Sequence, residues 1–210
     1  MSVKGLGTAA YTSSGTYATP ASVSSAISSV VSIIQFEQGT DTSGNPAVGA
    51  IKSKPFSFTD SWEEDGQTIE ETYDITPVAD GIGAFAVGGT AEGFGSIAIG
   101  PYSIASGDYS IALGGGQATA GNAKAIGGYA TGPNATSFGG TAKGMGSFSW
   151  GVGAVASGDY SYAGGYDVKA IGIRSHAEGS GTSAIGNYSH SEGMYTKASG
   201  LYSHAEGLGS

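Results

Sequence analysis

Towards its C-terminal end the sequence repeats every 14 residues without a gap: YDVKAIGIRSHAEG (166–179), SGTSAIGNYSHSEG (180–193) and MYTKASGLYSHAEG (194–207). Ala170, Ala184 and Ala198 coincide, as do Gly172, Gly186 and Gly200, and Ser175, Ser189 and Ser203. Earlier segments follow the same plan in 12, 13 or 14 residues, and nine units tile residues 89–207 with no remainder. Thus PYSIASGDYSIALG (101–114) matches VGAVASGDYSYAGG (152–165), and GTAEGFGSIAIG (89–100) matches GTAKGMGSFSWG (140–151). A unit this short cannot bury a face by itself, so it must stack on its neighbours. Each 14-residue unit is also double, with two x-Ala-x-Gly halves such as Ile104–Gly107 and Ile111–Gly114. This reads as one coil of two short strands and two tight turns. Glycine at each strand end supplies the positive φ of a turn. The small residue between two larger ones fits a close approach of sheets or chains. Coils stacked by parallel pairing at ~4.8 Å make a rod segment of about 40 Å from the nine units. The predicted fold is therefore mainly β: a Gly/Ala-rich parallel β-solenoid over residues 81–210, with 12–14 residues per coil.

Composition agrees. Of 210 residues, 39 are Gly and only six are Pro, which excludes collagen and a Pro-rich linker. Large aliphatics are too sparse for a thick core, so stability must come from repetition or from other chains. The residues flanking the central Ala range from Ile/Leu to His/Glu. A sealed interior would not accept that mixture, so these positions face solvent or another chain. There is no Cys, hence no disulfide. The opening MSVKGLGTAAY has no apolar run of the kind a secretory signal carries, and no stretch is apolar enough to insert in a membrane as a helix.

The net charge of −9 is uneven. Residues 37–80 hold ten acids against Lys52 and Lys54, a net −8, whereas residues 81–210 hold seven acids and five bases. No basic patch exists, which argues against nucleic acid as a partner.

Three segments precede the repeats. Residues 1–19 are small and polar, and read either as a mobile tail or as a docking peptide anchored by Leu6, Tyr11 and Tyr17. Residues 20–35 read as a helix: Thr19 can cap it and Pro20 suits its first position. Val23, Ile27, Val30 and Ile34 follow at spacings of 4, 3 and 4, a coiled-coil seam. At about 24 Å, the helix is too short to stand alone. β-Branched residues at both seam positions favour three strands, so these four residues are the expected trimerisation contacts. Packing on the helix's own chain is the other reading. Residues 36–80 form a small acidic β element, with alternation in IKSKPFSFT and QTIEETYDIT and a hairpin turn at Asp65-Gly66. Its acids read as a solvated face; no spacing matches a calcium loop.

His176, His190 and His204 recur once per coil, and Glu178, Glu192 and Glu206 lie two residues on, hence on the same face. They form either surface or interface ladders or, across a trimer, a metal or anion site or pH switch. No metal or other cofactor is assigned, because ligand geometry cannot be read from spacing. The glycine runs are not phosphate loops, since no helix follows them. Every His sits in a copied motif, and no catalytic residue is expected. Tyrosines such as Tyr102, Tyr109, Tyr160, Tyr188 and Tyr202 sit beside turns and read as packing between coils or chains, or as a glycan-stacking surface.

The x-Ala-x-Gly-x-x-Ser-x-Ala-x-Gly units resemble the head repeats of trimeric autotransporter adhesins. That likeness covers residues 81–207 and implies a left-handed parallel β-roll, a homotrimer and binding to host surfaces. The Ser-His-Ala-Glu-Gly variant (175–179, 203–207) resembles repeats of bacteriophage fibres. The opening Gly5-Leu6-Gly7-Thr8-Ala9-Ala10-Tyr11, with Tyr17-Ala18-Thr19, resembles the N-terminal segments of phage head and tail fibres. The resemblance implies a non-enzymatic virion appendage, with Gly5, Leu6, Gly7, Tyr11 and Tyr17 docking on a capsid or other virion protein. The distal rod then faces host-surface glycans, and head fibre is favoured over tail fibre. The sequence departs from the autotransporter pattern in having no secretory signal and no C-terminal membrane strands, and it closes on Leu208-Gly209-Ser210 directly after a repeat. A bacterial surface-adhesin head fragment and a ligand-free capsid decoration are the alternatives.

Overall fold

Alternate residues of a strand point to opposite faces, so a three-residue x-Ala-x strand can bury its Ala and present both neighbours outward. The computed structural model, which describes residues 36–41, 43–64 and 67–209, is built on that alternation. Of the chain's two units, Met1–Phe36 and Glu37–Ser210, the second contains a parallel β-solenoid. Each coil adds one strand to each of two sheets, one of twelve strands and one of ten. Among the described residues there is no helix. The expected helix at 20–35 and the segment 1–19 lie outside the described residues.

The strand pairing is in register. In the twelve-stranded sheet Ala98, Ala112, Ala125, Ser137, Ser149, Ala163, Ala177, Ser191 and Ala205 align from coil to coil. In the ten-stranded sheet every aligned central residue is Ala, from Ala79 to Ala198. Ala98 and Ala105 to Ala184 along these columns are fully buried. The interior is thus one small side chain deep on each side. A buried methyl contributes about 0.8 kcal/mol, so no coil is stable alone; stability accumulates over neighbours and their hydrogen-bond ladders.

The turn after each strand of the ten-stranded sheet has the form Gly-X-X-Ser/Ala, except that Ala120 takes the first place in one coil. The fourth residue's N–H donates to the glycine carbonyl, as in Ser175 to Gly172 at 3.1 Å and Ser189 to Gly186 at 3.2 Å. The third residue has positive φ. The first glycine does not: a Cβ on Gly172 would meet the backbone carbonyl of Gly186 in the next coil. That glycine permits close backbone approach, whereas turn conformation is set two residues later. Ser189 and Ser203 return their hydroxyls to the carbonyls of Gly186 and Gly200 at 2.6 and 2.7 Å, which satisfies those hydroxyls inside the turn.

The solenoid sheets begin upstream of residue 81. β1 (Phe36–Thr40) and β2 (Pro46–Ser53) are the first two strands of the twelve-stranded sheet, and Val78–Ala79 is an end strand of the other. Between them β3 (Phe56–Glu64) and β4 (Gln67–Ile75) pair antiparallel from Phe56↔Ile75 to Glu64↔Gln67; the expected turn residues Asp65 and Gly66 lie outside the described residues. The hairpin is an insertion within the first coil. It splits the repeat there, which is why the period is not visible in the sequence before residue 81. Gly88, beside Ile75 and Phe56 at the hairpin base, has a φ of 72°, which favours glycine.

Candidate functional site: an outer sheet face and a tyrosine edge

Residues flanking the buried Ala column of the twelve-stranded sheet form two outward columns. In the middle coils one of them is large and apolar, with Ile99, Ile126, Phe138 and Trp150 41–43% exposed, while the other includes Lys124 and Thr136. A contiguous apolar stripe of this kind is uncommon on a surface that meets only water. Rings then stack up the face from coil to coil. Phe148 lies on Tyr162 at 5.5 Å, Tyr162 on His176 at 4.4 Å, His176 on His190 at 4.8 Å and His190 near His204 at 4.9 Å between ring centres. Trp150 Nε1 donates to the Tyr162 hydroxyl at 2.6 Å, and the absence of a side chain at Gly164 leaves room for the indole.

His176, His190 and His204 therefore continue an aromatic column, and Glu178, Glu192 and Glu206 continue the neighbouring one. Each imidazole Nε2 lies 3.3, 3.4 and 3.5 Å from the carboxylate of its own coil. Pairing is within a coil, and among the described residues no three His, Asp or Glu side chains gather in a group that could hold a metal. The trimerisation residues Val23, Ile27, Val30 and Ile34, and the attachment residues Gly5, Leu6, Gly7, Tyr11 and Tyr17, lie outside the described residues.

A second surface runs along the Gly-X-X-Ser turns, and its conformation was not foreseeable from spacing alone. The positive-φ position is glycine in some coils, such as Gly95 and Gly146, and Asn122 or Asn134 in others. These are residues suited to left-handed backbone. In further coils it is Tyr109, Tyr160, Arg174, Tyr188 or Tyr202, with φ of 53–56°. Left-handed backbone costs such side chains about 1–2 kcal/mol, so their selection reflects what the side chains do. Where a Tyr follows a Gly, the ring covers the glycine of the preceding coil: Tyr109 over Gly95 and Tyr160 over Gly146. Tyr188 stacks on Tyr202 at 5.1 Å. Arg174 sits between Tyr160 and Tyr188, its guanidinium carbon 5.8 and 5.6 Å from their ring centres.

The X position of the same turns carries a second device. Asp108, Asp159 and Asn187 each accept the backbone N–H of the preceding coil's X residue through Oδ1, from Phe94, Met145 and Ile173, all at 2.9 Å. A side-chain oxygen thereby replaces a carbonyl where the turn leaves an amide without one. The turn signal Gly-Asp-Tyr or Gly-Asn-Tyr marked these places in the sequence; the reach to the coil below did not follow from it. A cleft of about 290 Å³ also lies between Asp74–Thr76 at the hairpin base and the Tyr102–Ile104 turn, with Asp74 its one charged lining residue.

These surfaces belong to a parallel β-solenoid whose outward faces, rather than a cavity, carry its distinctive chemistry. A family model for the YadA head domain repeat matches the chain in two copies, over residues 91–116 and 170–189. The match supports the resemblance of the repeats to the heads of trimeric autotransporter adhesins. No curated protein matches the chain.

Proposed function

We propose that the protein is a non-enzymatic homotrimeric fibre whose solenoid mediates adhesion to a host or environmental surface. The observation that carries this is the exposed apolar column through Ile99, Ile126, Phe138 and Trp150 on a solenoid of YadA-head type. An apolar sheet face of that length is covered economically by equivalent faces of further copies. Its partition into apolar coils and His/Glu coils favours parallel, level association, because an axial shift of two or three coils sets Glu178 against Trp150 or Phe138. Three copies make every surface feature trivalent, which turns weak single contacts into firm attachment.

In this reading the fibre is an external appendage of a phage virion, a head fibre in preference to a tail fibre. Residues 1–19 dock on the capsid or another virion protein, and residues 20–35 trimerise. The phage setting rests on the resemblance of residues 5–19 and of the Ser-His-Ala-Glu-Gly repeats, whereas the YadA-head match supports a second reading, the head of a bacterial trimeric surface adhesin. Sedimentation equilibrium of the full chain tests assembly, and a monomer at micromolar concentration refutes it. Immunogold labelling of phage particles against bacterial cells decides between the two settings. Labelling of neither, with no binding of the purified protein to cells, refutes adhesion.

A further inference from the structure

We propose that Arg174, held between Tyr160 and Tyr188, is a binding site for a saccharide bearing a carboxylate. The proposal rests on the adhesion reading and names the ligand class. Arg174 is the one arginine in the sequence. It stands in left-handed backbone, φ 53°, where other coils use Gly, Asn or Tyr, and propensity favours only the first two, so local conformation does not explain it. Its guanidinium is sandwiched by two rings, and an N–H from Nη1 reaches the Tyr188 hydroxyl at 3.4 Å.

The acids near it in sequence are otherwise occupied. Asp159 turns Oδ1 to the Met145 N–H at 2.9 Å, and Asp167 lies 3.8 Å from Lys169 Nζ. Among the described residues no carboxylate forms an ion pair with Arg174. The two rings lie on either side of the guanidinium within cation–π reach, at 5.8 and 5.6 Å, and its remaining N–H groups are left for an external acceptor. A planar fork of donors matches a carboxylate better than a point cation does. Around it Tyr160, Tyr188 and Tyr202 are 53, 43 and 70% exposed and offer hydroxyls to the hydroxyls of a sugar ring. An inorganic anion would use the guanidinium alone; a carboxylated saccharide uses both.

The test is saturation-transfer NMR and calorimetry on the full chain with sialyllactose, lactose and acetate as probes. Sialyllactose is expected to bind in the millimolar range and lactose and acetate at least about tenfold more weakly. Arg174→Gln is expected to lose at least about tenfold, and Arg174→Lys, which keeps the charge but not the fork, to lose several-fold. Circular dichroism confirms the fold of each variant. Lactose or acetate binding as well as sialyllactose, no sialyllactose signal, or a folded Arg174→Lys that binds as the parent does overturns the proposal. Cell adhesion is scored in parallel. Parent and Arg174→Gln adhering equally sinks the site but spares the adhesion reading, whereas sialyllactose binding by a parent that adheres to no cell does the reverse.

Discussion

Asp159 reaches across one coil to accept the backbone N–H of Met145 through Oδ1 at 2.9 Å. The same link joins Asp108 to Phe94 and Asn187 to Ile173. Because Asn serves in one coil and Asp in two, the oxygen matters and the charge does not. Asp159→Ala is expected to destabilise the rod by about 1 kcal/mol and to speed hydrogen exchange at the Met145 amide, while Asp159→Asn stays near the parent. Equal exchange in the two variants would show that the bond contributes nothing.

Gly172 is required by its neighbours and Gly121 is not. A Cβ at Gly172 meets the Gly186 carbonyl and its backbone neighbours, none of which can move without shifting a coil; a Cβ at Gly121 meets only the Asp108 carbonyl, at 3.9 Å. Gly172→Ala is expected to cost about 2–4 kcal/mol in a denaturant titration. Gly121→Ala should be neutral or stabilise by about 0.5 kcal/mol through the unfolded chain. A harmless Gly172→Ala would mean that the coils are less closely stacked than described.

The apolar column gives a direct test of assembly. Ile126→Asp with Phe138→Asp places two carboxylates among 42–43% exposed apolar side chains. In the full chain this pair is expected to lower trimer stability by at least about tenfold in dissociation constant, read by sedimentation equilibrium. Ile27→Asp with Ile34→Asp tests the N-terminal seam separately by light scattering. An unchanged trimer in the first pair assigns assembly to another surface; in the second it refutes the seam.

Asp41 links acidity to the β1–β2 connection. The Asn45 N–H, with the Asn45 side chain and the Ser43 and Gly44 N–H groups, holds its carboxyl below the usual 3.8. A folded value lower than the unfolded one makes the contribution full above the unfolded value and lost as pH falls through the folded one. Protection of the Asn45 amide, relative to its intrinsic exchange rate at each pH, should therefore fall below about pH 4 in the parent. Asp41→Asn should flatten that dependence.

Much of this was readable from sequence because the repeat is a ruler. Ala170, Ala184 and Ala198 fall in one column, and Glu178 shares a face with His176, for no reason beyond strict alternation. The antiparallel pairing of β3 with β4 was legible from the alternation of their residues and the Asp-Gly between them. What escaped were effects that need the neighbouring coil. Gly107 and Gly172 look like turn glycines, yet they serve close approach of the next coil's backbone, while Tyr109 and Arg174 carry the left-handed turn. Propensity favours Gly or Asn there and is overridden by stacking. The pairing of Ala50 and Ala79 with the solenoid interior was hidden because the inserted hairpin separates them from the period.

In this rod nearly all backbone hydrogen bonds run from one coil to the next, along the long axis. Tension applied between its two ends therefore loads the coils in series, and the terminal coil yields first. Each release pays out a loop of 12–14 residues, about 40 Å of contour, before the next coil takes the load. Under force such a solenoid lengthens in near-equal steps and absorbs work at each, so a load borne along it is released gradually and not at once.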